Sequence, residues 1–181
     1  MNIKLTSIAA GMAVLMALTA GVSANTQHND QVRRMAPATP TAMTFFCRKY
    51  EGECATRGAS SVRLTADLMK VLDQVNKRVN RAISYRGESA DIWTLNPRSG
   101  DCEDYALSKR SALIQMGVPA GSLRIAVTAT PRGVPHAILV VKTSGGDVVL
   151  DNRSNAVKEL RASGYRVQMM SSANPLRWVA G

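Results

Sequence analysis

Apolar residues recur at helical spacing between Thr65 and Ile83, where Leu68, Val71, Leu72, Val75 and Val79 form one stripe. This predicts an amphipathic helix, and Thr65 stands where a side-chain oxygen can cap its first turn. A second helix is predicted from Cys102 to Met116, with Tyr105, Ala106, Leu107, Ala112, Leu113 and Met116 available to a core. Gly117 is a natural stop for it, and Pro119 prevents continuation. Beyond Pro119 the period changes. Leu123 to Thr130, His136 to Thr143 and Val148 to Asp151 are short, β-branched and apolar, and Ser144-Gly145-Gly146 marks a tight turn between the last two. A short helix near Ala156 to Ala162 and a closing strand near Tyr165 to Met169 complete the expected series. Helices followed by an antiparallel sheet make an α+β fold.

The remaining segments lack periodicity. Tyr85 to Pro97 is irregular, with Gly87 and Pro97 as breakers and Trp93 between them. Residues 25–44 are polar, carry Pro37 and Pro40, and read as a flexible leader. The folded domain is expected over 45–181. Residues 1–24 have the form of a secretory signal peptide: Lys4, an apolar run from Ile8 to Ala20, and small residues at Val22-Ser23-Ala24. The alternative is a membrane anchor, but the run is short for a span of about 20 residues. Cleavage after Ala24 would place the mature chain in the periplasm with no stable membrane span.

Composition narrows the class. The chain has 181 residues, enough for one domain, with 45% hydrophobic and 20% charged residues. Aromatics are only 4%, so aliphatic residues and Met must build the core. Losing residues 1–24 removes Lys4 from the 23 basic residues, leaving 22 against 13 acidic, a formal +9. The basic residues are scattered, with no run of five or six and no interleaved aromatics, which argues against nucleic acid. Attraction to anionic envelope surfaces or acidic substrates is the expected consequence.

Three cysteines divide unequally. Cys47 and Cys54 lie seven apart and suit a local disulfide in an oxidising compartment. Cys102 is left over. It falls in Gly100-Asp101-Cys102-Glu103-Asp104-Tyr105-Ala106, where Asp101 is placed to cap the helix and Cys102 occupies its first turn. Unpaired N–H groups and the helix dipole there favour a thiolate and can hold an oxyanion. The chain has two histidines, and His28 lies in the leader, so His136 is the candidate base. Asp151 ends the next strand. An even hairpin loop puts His136 and Asp151 on one face of the sheet, because side chains alternate. A buried structural thiol, a structural histidine and an ordinary turn aspartate are the competing readings. Asp101, Glu103 and Asp104 also surround the sulfur with carboxylates, which oppose thiolate formation. A cation would offset them, and carboxylate oxygens suit calcium.

The cysteine motif, together with Pro135-His136-Ala137-Ile138-Leu139-Val140 and Val149-Leu150-Asp151-Asn152, resembles the bacterial transglutaminase-like cysteine proteinases. The resemblance runs from about Phe45 to Gln168 and includes Cys47, Cys54, Val75-Asn76, Val79-Asn80 and Trp93. It implies a papain-like, transglutaminase-type core with Cys102, His136 and Asp151 as a catalytic triad. It links Asp101 and Glu103 to calcium, and it places Trp93 either beside the active site or in the core. It also implies a protein substrate in the cell envelope, with a biofilm-associated surface adhesin as the specific case. The stretch Leu95-Asn96-Pro97-Arg98-Ser99 is shorter and less acidic than the adhesin-releasing members carry. Three activities remain open: an endopeptidase, an acyl transferase or peptidoglycan amidase using the same triad, and a non-catalytic envelope binding protein.

Overall fold

The computed structural model describes residues 36–87 and 90–181. The expected signal peptide, His28 and the leader up to residue 35 lie outside the described residues. Helix α1, Thr41–Lys49, begins inside the segment read as leader. Its face of Met43, Phe46 and Cys47 is buried, and this apolar face outweighs the polar, proline-bearing sequence ahead of it. Helix α2, Glu51–Cys54, follows at once, and a Cys47–Cys54 disulfide joins the two.

Helix α3, Ala66–Ala82, is capped as its pattern predicts: Thr65 Oγ1 accepts the Leu68 N–H at 3.1 Å. It buries Leu72, Val75, Asn76 and Val79. Two short parallel strands, β1 (Ser84–Tyr85) and β2 (Ser99–Gly100), bracket the irregular segment and set Tyr85 opposite Gly100. Helix α4, Cys102–Gln115, ends at Gly117, whose φ of +88° is the left-handed conformation that lets the chain leave a helix.

The sheet is six-stranded, in the order β6-β5-β4-β3-β7-β8, with antiparallel neighbours throughout. Its strands are β3 (Leu123–Ala129), β4 (Pro135–Val141), β5 (Val148–Asp151), β6 (Ser154–Glu159), β7 (Arg166–Ser171) and β8 (Trp178–Ala180). The fold is α+β, as the pattern of elements implied.

Two expectations need correction. The helix expected over Ala156 to Ala162 is strand β6 followed by a 3-10 turn at Leu160–Ala162. Its residues suit a helix locally, but pairing with β5 (Val148 with Glu159, Val149 with Lys158) prevails. Strand β7 is not the last, because β8 pairs with it and buries Trp178.

Alternation divides the sheet into two faces. Leu123, Ile125, Leu139, Val141, Val148 and Leu150 join Leu72, Val75, Leu107 and Leu113 of α3 and α4 in the main core. Ala126, Ile138, Val140 and Val149 form a smaller cluster on the opposite face, covered by Leu160, Tyr165, Val167 and Met170. Trp93 belongs to the main core, with Nε1 donating to Asp91 Oδ1 at 2.6 Å. Among the described residues no helix is long and apolar enough to cross a membrane.

Candidate active site

The start of α4 is built around a glycine. Asp104 turns its carboxylate back over the helix end, where Oδ1 accepts the Thr94 N–H at 2.7 Å and Oδ2 accepts the Asp101 N–H at 3.2 Å. Asp101 and Asp104 thus close a capping box. A Cβ on Gly100 would lie 2.0 Å from Asp104 Oδ2, so no larger residue fits there. This arrangement fixes Asp101 as the cap and Cys102 as the first helical residue, with its thiol half-buried.

His136 and Asp151 come from neighbouring strands. Leu139 faces Leu150, and the connection from Lys142 to Asp147 is even in length, so both side chains lie on one face of the sheet. His136 Nε2 meets Asp151 Oδ1 at 2.8 Å, and both residues are buried. Asp151 has further partners. Tyr165 donates its hydroxyl to Oδ2, the Arg153 N–H donates to Oδ1 at 3.1 Å, and Asn80 Nδ2 donates to the backbone carbonyl at 3.0 Å. Burial alone would raise the Asp151 pKa, but the bonds from His136, Tyr165 and the Arg153 N–H outweigh it and hold the carboxyl below its ordinary value. Tyr165 also places its ring 5.5 Å from the His136 ring.

Cys102 and His136 line one cavity of about 430 Å³ with Tyr85, Val134, Arg132 and Arg153. The Ala137 N–H, next to His136, bonds the sulfur. With Nε2 engaged by Asp151, Nδ1 is the ring nitrogen available to the cavity. The structure therefore brings the histidine and aspartate into direct contact, and the cysteine and histidine to a common space.

The electrostatics oppose the simple expectation of a thiolate. Burial first, and Glu103 second, push the Cys102 thiol up to about 12, against the Ala137 N–H. The thiol donates to Glu103 Oε2 at 3.0 Å. Glu103 itself is raised to about 7 by burial and by hydrogen bonding and charge from Asp101, despite the opposing bond from Cys102. Two adjoining carboxylates that resist joint ionisation are a chemical fit for a hard cation. Asp101, Cys102 and Glu103 hold their donor atoms within 4.8 Å of one another. The carboxylate oxygens suit calcium and the sulfur does not. Asp104 is committed to the helix cap.

Three contributors carry no signal in the sequence. Tyr165 was read only as the start of a strand. Asn76 and Asn80 entered only through the resemblance, yet Asn76 Nδ2 donates to the Ser154 and Asn155 carbonyls at 2.9 and 3.0 Å, and Asn80 to Asp151 and Ser154. Together they tie α3 to the turn that follows Asp151. Lys109, two turns below Cys102, is fully buried and its Nζ has no hydrogen-bond partner.

A cysteine at the start of a helix, set against an antiparallel sheet with a bonded histidine and aspartate, is an arrangement that a cysteine hydrolase can use. Residues 33–180 match the sequence profile of the bacterial transglutaminase-like cysteine proteinases, and the chain belongs to that family. No curated protein matches it. Among solved structures it is similar to LapG of Legionella pneumophila, at 23% identity and a TM-score of 0.54 over 59% of this chain and 64% of that one. It therefore spans less than two thirds of that relative. The EGTA-treated form of LapG matches at 23% identity and a TM-score of 0.57, over 63% and 68% of the two chains. The calcium-bound form matches at 18% identity and a TM-score of 0.54, over 82% and 83%. These likenesses bear on the fold.

Proposed function

We propose that this chain is an exported endopeptidase in which Cys102 is the nucleophile, His136 the base and Asp151 the group that orients the imidazole. The observation that carries this reading is the His136–Asp151 bond at the edge of the cavity that Cys102 lines. His136 Nδ1 takes the thiol proton. The sulfur attacks a peptide carbonyl, and the Cys102 N–H with a second donor at the helix start holds the oxyanion. His136 then protonates the leaving amine, and water hydrolyses the thioester with His136 again as base. Asp151 keeps its charge throughout and stabilises the imidazolium.

Asp101 and Glu103 would hold calcium in this reading. A bound divalent cation supplies positive charge that cancels the carboxylates opposing the thiolate. The pattern of residues 1–24 supports export to the periplasm. The proposed substrate is a cell-envelope protein, with a surface adhesin as the specific case the family implies.

Incubating the organism's envelope proteins with wild type and Cys102→Ala tests the scheme. Wild type should cut discrete proteins, Cys102→Ala should not, and both should melt at the same temperature. A calcium chelator should slow the wild type at least about tenfold, as loss of charge stabilisation at a nucleophile does. Cleavage by Cys102→Ala would exclude the proposal. Product masses decide the reaction: hydrolysis adds water, whereas joined masses would reassign the site to acyl transfer.

A further inference from the structure

Some surface cations are paired: Lys70, Lys77, Lys142 and Arg161 each meet a neighbouring carboxylate within 3.1 Å. Those at the mouth of the active-site cavity are not. Arg132 and Arg153 line that cavity, and Arg153 with Lys158 and Asp151 lines a second one of about 230 Å³. The three are exposed, and among the described residues none makes an ion pair or a side-chain hydrogen bond. The one carboxylate in either lining is Asp151, which is buried and already engaged by His136, Tyr165 and the Arg153 N–H.

The two cavities adjoin at Arg153, which lines both, and make a basic groove beside Cys102 in which the exposed charged side chains are cations. Such a groove concentrates anions, since low-dielectric walls focus the field. Arg153 and Lys158 extend the basic lining away from Cys102 into the second cavity, so an anionic group is attracted to one side of the scissile bond. The apolar surface beside the sulfur, exposed Val134 and Tyr85, suits an uncharged residue at the cut.

We infer that this groove selects an acidic stretch of the substrate polypeptide, positioned to one side of an uncharged cleavage point. The inference rests on the endopeptidase reading and names the substrate class for that site. Arg132, Arg153 and Lys158 act as specificity residues, and their contribution falls on substrate capture.

Two measurements test it. In the first, wild type digests a peptide library made from a whole proteome, and the cut peptides are sequenced by mass spectrometry. Asp and Glu should be enriched on one side of the cut and absent at it. On a matched pair of peptides differing only by Glu→Gln, the preference in kcat/KM should fall about tenfold in the Arg153→Glu/Lys158→Glu double variant, the scale of two to three exposed charge contacts. In the second, Cys102→Ala binds the same labelled peptides, followed by fluorescence anisotropy. The acidic peptide should bind tighter, and its advantage should shrink as salt rises from about 50 to about 500 mM, where the screening length drops to a few ångströms. A wild type that cuts without acidic preference, or a preference that survives charge reversal, overturns the inference but leaves the peptidase. A wild type that cuts nothing removes the peptidase, while the anisotropy arm still decides the groove. Tight binding to phosphatidylglycerol vesicles, lost on charge reversal and without any peptide preference, would assign the groove to a membrane surface instead.

Discussion

Tyr165 and Glu103 act on the two sides of the candidate site, Tyr165 on Asp151 and Glu103 on Cys102. Tyr165 donates to the Asp151 oxygen that His136 leaves free, and its ring lies against the imidazole. Burial, the Asp151 hydrogen bond and the Asp151 charge all raise the phenol pKa, so it remains a donor across the working pH range. A hydrogen bond to a charged carboxylate is worth about 1.5–3 kcal/mol. Tyr165→Phe keeps the ring and removes that bond, so kcat should fall about tenfold while KM changes less than about twofold, the split of a group felt mainly in the transition state. An unaltered kcat, measured on the peptide that wild type cuts best, would leave Tyr165 a packing residue. Nothing along the sequence could have singled it out. It reaches Asp151 over the sheet face, from the segment before β7, although β4 and β3 lie between β5 and β7, an approach set by the whole sheet. Cys102 was legible, because a lone cysteine after a capping aspartate is a local pattern. That its thiol sits high rather than low depends first on burial, which the pattern did not reveal, and then on Glu103, a carboxylate the motif did show.

Helix α4 carries the nucleophile and also an anomaly. Lys109 is buried without a hydrogen-bond partner, 5.6 Å from the centre of the Tyr105 ring. Burial lowers its ammonium to about 7, partly opposed by the Asp151 charge. The ordinary value of 10.5 applies in the unfolded chain, so that state binds the extra proton between the two values and stability rises with pH across that window. Below about 7 the full cost of burying the charge is present, on the order of 3–5 kcal/mol, and above about 10.5 it is gone. Lys109→Met, an apolar side chain of similar length, should therefore raise the unfolding free energy by at least about 2 kcal/mol at pH 6. The gain should shrink towards zero by about pH 10. A denaturant series at both values checks it, and a gain independent of pH would refute the charge argument. At this scale the sequence was readable wherever period and punctuation agreed. Thr65, Asp101 and Gly117 delimit α3 and α4 by local capping chemistry, and the bounds follow closely. The β6 segment misled because Ala156 to Ala162 holds good helix formers, while the partner that makes it a strand is supplied by β5.

The whole molecule ties the N-terminal part of its described chain both to the active-site helix and to the turn before β8. At the N-terminal side, Arg110 of α4 donates to the Glu53 carbonyl at 2.5 Å and Ser111 donates to Glu53 Oε1 at 2.7 Å, next to the Cys47–Cys54 link. Further back, Thr39 donates to the Leu176 carbonyl in the turn before β8. Over residues 36–44 the leader reading does not hold, because these ties are long-range and a polar, proline-bearing segment shows no sign of them. The disulfide closes a loop of only eight residues, counting both cysteines, so chain entropy assigns it about 2–3 kcal/mol. For a chain of this length that corresponds to a loss of about 5–10 °C in melting temperature when both cysteines become serine. The effect on chemistry should be small at 25 °C. Glu53 grips α4 at Arg110 and Ser111, more than two turns from Cys102, and the start of the helix is held independently by Gly100, Asp104 and Thr94. Melting curves and thiol labelling of Cys102 in Cys47→Ser/Cys54→Ser separate the two quantities. A lower melting temperature with an unchanged labelling rate supports independent anchoring of the helix mouth, and a slowed rate in a still-folded variant would show that the N-terminal clip also sets the position of the sulfur.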